Sequence, residues 1–548
     1  MTDLHAGDRL AHPRPTLADW LGLCVVLAYG AAFIQRTSFV IDGERYFSLF
    51  DDAMISMRYA QNLAAGHGMV WNPGGPRVEG FTNPLWVLYM AIWHLLPIAD
   101  SKLSFPLQIT GLATLAGTCW LTRSLTFSVT DSPTAARAAL LLTGLYLPLV
   151  NWSLQGMEVG VLALLLTAAA SMAVRASPPS RWLWVLLGVG VWVRVDFAVP
   201  AAILLAGAIW IFRAQRRSVL IWGGSLLLSS LALQTLLRWL YFGELVPNTY
   251  LLKLTGVALD VRLHQGVHSL VGFLRGSGWV PLLAPGALLL FRRERGVAVL
   301  ACLVGGQLAY SVYVGGDAWE EWGGANRYIA PAMPCLFVLI SALINELHLP
   351  VARRLKAKKS SLWLAGGLRW ARSLALLARM NASVGKDPPF DWLLQREPLY
   401  VSENRQMVQL ARDIREGADE GASVALIWSG AAAYFAQRQA IDMLGKSDKV
   451  IARGPSRPSN HRAAYPYFHP GHDKWDYGYS IETLKPDLVP QLHFLGEDYS
   501  PPGYVGVRMG RFLMYARKDS SHVHWKSVEI LDVQPAFLSC CRGPRRLR

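Results

Sequence analysis

Asp51-Asp52-Ala53-Met54-Ile55-Ser56-Met57-Arg58-Tyr59-Ala60-Gln61-Asn62-Leu63 follows shortly after the apolar run Leu17–Ile34. That run is close to the length of about 20 residues needed to cross a bilayer. Arg9 and Arg14 precede it, and no small-residue cleavage site follows a short apolar core. The run therefore reads as an uncleaved first membrane span, with the acidic pair just outside it. Ile55, Tyr59 and Leu63 recur at helical spacing with Arg58 and Asn62 beside them, which predicts an amphipathic helix at the membrane surface. Asp51 and Asp52 would stand at its N-terminus, where the helix dipole favours anions. A cap needs one carboxylate, so two adjacent ones exceed what capping requires.

Outward from this stretch the chain divides by composition. Of its 548 residues 52% are hydrophobic and 17% charged, against about 25% charged in soluble proteins. Residues 17–350 are mostly apolar, whereas 385–548 have ordinary soluble composition. Further apolar stretches lie near 84–98, 104–121, 137–150, 158–175, 182–212, 218–237, 278–291, 297–314 and 328–347, with a weaker one at 361–379. Arg194, Asp196 and Pro200 interrupt the 182–212 stretch. The expected fold is a mainly α, polytopic membrane domain over 1–380 with about ten to twelve spans, followed by a soluble α/β domain over 385–548. In the latter, Val424–Trp428 reads as a strand and Ala431–Gln437 as a helix.

The net charge of +15 is positional. Arg213, Arg216 and Arg217, then Arg292, Arg293 and Arg295, then Arg353, Arg354, Lys356, Lys358 and Lys359 separate apolar runs, as the positive-inside rule places cytoplasmic loops. Segments 36–83, 238–277 and 315–327 then face the other side, joined by the C-terminal domain if 361–379 crosses. No basic module with aromatic platforms argues for nucleic acid. Cys24, Cys119, Cys302 and Cys335 fall in apolar runs, and Cys540 and Cys541 adjoin near the C-terminus. Their spacing gives no metal set and no disulfide framework.

Four more clusters flank the spans on the non-cytoplasmic side. Gly66-His67-Gly68-Met69-Val70-Trp71-Asn72-Pro73-Gly74-Gly75 leads to Arg77-Val78-Glu79-Gly80-Phe81-Thr82-Asn83. Trp152 to Glu158 puts a carboxylate at a span edge, and Asn248-Thr249-Tyr250-Leu251-Leu252-Lys253 carries a lone cation in apolar surroundings. Gly315-Gly316-Asp317 through Arg327 sets acid and base before another span. Ionisable groups at membrane depth are functional suspects, with interface anchoring as the plain alternative. Together the clusters point to a polar cavity on the non-cytoplasmic face, with His67, Trp71, Glu79, Asn83, Glu158, Asn248, Tyr250 and Asp317 as substrate contacts.

This ordered set resembles the GT-C membrane glycosyltransferases, in the branch related to the mycobacterial terminal arabinofuranosyltransferase and to pilin arabinosyltransferases. Arg194-Val195-Asp196, Pro247-Asn248-Thr249-Tyr250, Ile441-Asp442-Met443-Leu444-Gly445, His469-Pro470-Gly471-His472 and Lys485-Pro486-Asp487 agree in order. Two departures stand out. The family often has Arg-Pro-Asp at 194–196, and the segment after Asp317 is longer and more acidic here, with Glu320 and Glu321. The resemblance implies a polyprenyl-phosphate sugar donor, arabinofuranose or a similar sugar, and a glycan, lipid or pilin acceptor. It places the enzyme in the bacterial inner membrane with its site on the periplasmic face. It fixes no cofactor and leaves room for a divalent cation.

A carboxylate of Asp51 or Asp52 would take the proton of the acceptor hydroxyl, and Lys253, Arg327 or Arg58 would hold the leaving phosphate. Single displacement would invert the anomeric centre, and a carboxylate nucleophile stays open. A flippase or transporter of a lipid-linked sugar is the chief alternative. It would show inverted repeats and midplane charges, whereas here the charges gather at one face and no repeat is visible. A non-catalytic glycan-binding or assembly protein would not need the acidic pair. The basic clusters predict that reporter fusions after residue 60 and after residue 420 report the same, non-cytoplasmic side; opposite readings would remove this topology.

Overall fold

The computed structural model describes residues 14–175, 180–320, 326–354, 359–385, 387–457, 468–490, 492 and 499–531. Arg9, Glu321, Lys356, Lys358, Cys540 and Cys541 lie outside these. The first span forms as the helix Leu17–Thr37. Thr16 starts it, its backbone N–H and hydroxyl both donating to the Asp19 carboxylate at 2.8 Å. Asp19 also receives the Arg123 guanidinium at 2.7 Å, so the same carboxylate caps one helix and ties it to the long helix Asp100–Thr130.

Among the described residues, four helices are long and apolar enough to cross a membrane: Leu17–Thr37, Arg213–Phe242, Arg295–Val314 and Ala330–His348. Two bent pairs raise the number to six: Pro133–Gly144 with Leu147–Leu154, bent by 52°, and Leu259–Gly276 with Val280–Phe291, bent by 73°. The ten to twelve spans expected from hydropathy are not reproduced by these criteria. Several apolar stretches are broken or short. The 182–212 stretch splits, as its interruption by Arg194 and Asp196 leads one to expect, into Arg181–Val193 and Ala198–Ile211 around a turn at Val195–Phe197. The break falls at Arg194-Val195-Asp196 rather than at Pro200, which is accommodated in the first turn of the second helix. Lipid is the solvent for what remains exposed: Leu220, Ile221, Trp222, Leu228 and Leu240 all face outward from the helix Arg216–Phe242. In water that surface would cost about 25 cal/mol per Å2.

The segment after the first span opens with a hairpin, β1 (Ser38–Ile41) and β2 (Glu44–Phe47). Asp42 and Gly43 both take positive φ, the backbone that a tight two-residue turn requires. The helix Asp51–Ala64 follows where its spacing predicts one, but it does not lie at a surface: it is buried on nearly every side, Arg58 and Asn62 included, because the C-terminal region packs over it.

The C-terminal region forms a six-stranded mixed sheet from β3 (Ser423–Leu426), β4 (Gln439–Asp442), β5 (Leu488–Val489), β6 (Tyr504–Met509), β7 (Phe512–Arg517) and β8 (Glu529–Ile530). The strand order is β4-β3-β5-β7-β6-β8, with β3 parallel to β4 and β5 and the remaining pairs antiparallel. The short helix Ala431–Ala436 crosses from β3 to β4, close to the predicted strand and helix.

This sheet region grips the first loop. Asn404 donates to the Leu49 carbonyl at 2.9 Å, and the Asn72 amide exchanges hydrogen bonds with the backbone of Ala440 at 2.8 and 2.9 Å. Arg58 is the central strap. Its guanidinium donates to the carbonyls of Trp71 (2.8 Å), Arg438 (2.7 Å) and Ala433, and to the Asn72 side chain (2.8 Å). Burial lowers its proton affinity to about 10, which leaves it charged at neutral pH. Removing it would strand several buried acceptors at about 1–3 kcal/mol each. Arg58→Ala is therefore expected to lower stability by at least about 3 kcal/mol, read as a large fall in melting temperature in detergent; an unchanged melting temperature would refute the strap.

Candidate active site

The first two residues of the Asp51–Ala64 helix diverge. The Asp51 carboxylate accepts from the backbone N–H groups of Ala431 (2.9 Å) and Gly430 (3.1 Å), so it caps the short helix between β3 and β4. Gly430 is required there, because a Cβ would lie 1.9 Å from the Asp51 carbonyl oxygen. Burial pushes the Asp51 carboxyl up to about 6. Asp52 turns instead into a cavity of about 230 Å3. One water needs only about 10–15 Å3 on the same measure, so the cavity has room for a ligand of many heavy atoms.

One Asp52 oxygen accepts from Lys446 at 2.6 Å, and the other from Arg327 at 2.7 Å and the Trp319 indole at 3.3 Å. Burial alone would raise the Asp52 carboxyl; Lys446 and Arg327 outweigh it and hold the group well below the usual carboxylate range. Arg327 is itself fixed by a two-pronged contact with Asp317, at 2.8 and 3.0 Å. Lys253 lines the same cavity, donates to the Tyr328 hydroxyl at 3.2 Å, and pairs with no carboxylate among the described residues. Across the cavity Asn83 receives the Ser56 hydroxyl (3.1 Å) and donates to Glu158 (2.8 Å). Glu158 also receives Arg194 (3.0 Å), which forks onto Asp196. Tyr250, Tyr310, Tyr313 and Tyr328 supply aromatic wall.

Of the residues singled out in the sequence, Asp52, Asn83, Glu158, Tyr250, Lys253 and Arg327 line one cavity. The others do not, each for a visible reason. Asp51 is spent on its cap and Arg58 on its strap. Trp71 lies under the Arg58 guanidinium and donates to the Ala440 carbonyl. His67 is exposed on the turn after the helix. Glu79 is buried against Arg238 at 2.5 Å, and burial pushes its carboxyl up to about 7. Asp317 stands behind Arg327, and Asn248 lies beneath the 445–448 turn. Sequence reasoning missed Lys446, one residue past the quoted Ile441–Gly445 block, and Trp319 as a partner of Asp52. Among the described residues no group of three or more His, Cys, Asp and Glu could hold a metal ion.

The arrangement of helices and appended sheet has the fold of the GT-C membrane glycosyltransferases. ArnT from Cupriavidus metallidurans bound to undecaprenyl phosphate matches with a TM-score of 0.51 at 11% identity, over 78% of this chain and 86% of that one. The Archaeoglobus fulgidus oligosaccharyltransferase in its apo form matches with a TM-score of 0.50 at 11% identity, over 94% and 76%. In sequence, the chain is related to the terminal β-(1→2)-arabinofuranosyltransferase of Mycobacterium tuberculosis, at 29% identity over 363 residues. That match takes in 58% of this chain and 55% of the relative, so the chain spans about half the length of the curated relative it matches. Residues 397–525 match a family described as a domain of unknown function (DUF8728).

The Asp51 cap has a pH signature. Its folded value of about 6 exceeds the ordinary 3.8, so the folded state holds the proton more tightly. That contribution to stability is fully present below about pH 4 and is lost as pH rises through 6. Asp51→Asn does not titrate, so it is expected to cost about 1 kcal/mol more at pH 5 than at pH 7.5. Melting curves of both proteins at the two pH values check this; a cost that grows with pH would contradict it.

Proposed function

We propose that the chain is a polyprenyl-phosphate-dependent glycosyltransferase that moves a pentose, arabinofuranose, onto a cell-envelope glycan, lipid or pilin acceptor. The observation that carries this is one carboxylate, Asp52, set among Arg327, Lys446 and Lys253 in one cavity. The reaction needs a base for a hydroxyl and cations for a departing phosphate, side by side. The relationship to an arabinofuranosyltransferase supports the choice of sugar. We place the cavity, the 36–83 loop and the region after 385 on the periplasmic side of a bacterial inner membrane, and the basic clusters on the cytoplasmic side.

The chemistry follows from these groups. The donor phosphate lies near Lys253 and Arg327, with its lipid tail leaving between helices. The acceptor oxygen attacks the anomeric carbon on the face opposite the phosphate and gives its proton to Asp52. The bond between that carbon and the phosphate oxygen breaks, its electron pair stays on the phosphate, and the anomeric centre inverts. Glu158, oriented by Asn83 and Arg194, accepts sugar hydroxyls at the far wall.

Transfer by the purified protein in detergent, from polyprenyl-phosphoryl arabinofuranose, tests the reading. Asp52→Asn is expected to lower kcat by about 10^3 in a protein that still folds. Lys253→Ala is expected to cost at least about tenfold in kcat/KM, about 1.4 kcal/mol. A folded Asp52→Asn variant with normal turnover would overturn the assignment. Mass spectrometry of envelope glycans and pilin from a deletion strain identifies the acceptor.

A further inference from the structure

Lys446 reaches Asp52 from 394 positions further along the chain, carried by the turn after β4. That turn is tied from two sides. The buried Asp442 carboxylate accepts from the N–H groups of Leu444 (3.1 Å) and Ser447 (2.7 Å), which bends the backbone around residue 446. From the membrane side, the buried Asn248 amide faces the carbonyls of Gly445 (2.9 Å), Lys446 (3.0 Å) and Asp448 (3.2 Å). Asn248 begins the same short helix, Asn248–Leu254, that carries Lys253. The two lysines of the cavity are thus held by one junction between the membrane helices and the sheet.

A simple ion-pair lock would explain a lysine between two domains. It would not explain its place in the wall of the cavity, and a buried pair is weak evidence for stability. The partners also differ in what they can give up. Arg327 keeps Asp317 if it leaves Asp52, whereas Asp52 is the sole carboxylate paired with Lys446 among the described residues. An anion entering the cavity therefore competes with Asp52 for Lys446. A carboxylate held between two cations is a weak base, and losing one of them strengthens it.

We propose that Lys446 is a donor-phosphate ligand supplied by the C-terminal sheet, paired with Asp52 before the donor binds and passed to the lipid phosphate when it does. The exchange moves an ion pair and no proton. It leaves Asp52 able to accept the acceptor's hydrogen only once a donor is in place. This inference rests on the reading of the cavity as a polyprenyl-phosphate sugar site.

Binding of undecaprenyl phosphate to the full-length protein in detergent tests it through a double-mutant cycle. Lys446→Met is expected to weaken binding at least about tenfold, and Lys446→Gln serves if the Met variant does not fold. Asp52→Asn is expected to tighten binding at least about threefold, because it frees Lys446. In the double variant that gain should shrink, because only Arg327 is then released. Wild-type affinity in folded Lys446→Met, or a gain from Asp52→Asn that is undiminished without Lys446, would overturn the exchange while leaving the glycosyltransferase reading intact. Failure of the wild-type protein to bind any polyprenyl phosphate would overturn both.

Discussion

The Asp51 carboxylate receiving two backbone N–H groups at the start of the Ala431–Ala436 helix is the contact on which the site depends. It brings the first loop and the sheet to within a glycine's clearance, since no side chain fits at Gly430. From that fixed point the next residue on one side, Asp52, enters the cavity. On the other, the chain runs through the short helix and β4 to the turn bearing Lys446. Arg58 and Asn72 repeat the same clamp further along the loop. The acidic pair is therefore a division of labour: one carboxylate sets the geometry that the other uses.

Charge is arranged in the cavity so that little of it is idle. Arg327 bridges Asp317 and Asp52, and Arg194 bridges Glu158 and Asp196. Such pairing offsets the desolvation that isolated buried ions would suffer. Lys253 departs from the pattern, with a tyrosine hydroxyl and ring as its described partners. A cation left without a carboxylate beside a cavity is a standing invitation to an anion.

Much of this was legible in the sequence because ionisable residues beside long apolar runs are rare and therefore informative. Asp52, Glu158, Lys253 and Arg327 all stood out for that reason, and all line the cavity. Lys446 did not, because in a soluble-type segment a lysine is ordinary and only tertiary docking brings it to Asp52. Arg58 was misleading for a related reason. Helical spacing locates it beside the apolar face, but its partners are carbonyls of distant segments, which no periodicity reports. The Asp42-Gly43 hairpin is not among the elements expected from the sequence, although Asp-Gly favours such a turn, and the number of spans depends on helix breaks and lengths that hydropathy smooths over.

The clamp has a consequence for how the folded molecule comes into being. The membrane helices and the first loop are synthesised before residues 397–525 exist. Until that segment has folded, Asp51 has no N–H groups to accept from, Arg58 lacks the carbonyls of Ala433 and Arg438, and Asp52 has no lysine from the sheet. The charged wall of the cavity is therefore assembled late: Lys446 joins Asp52 only after the helices that flank it have been made.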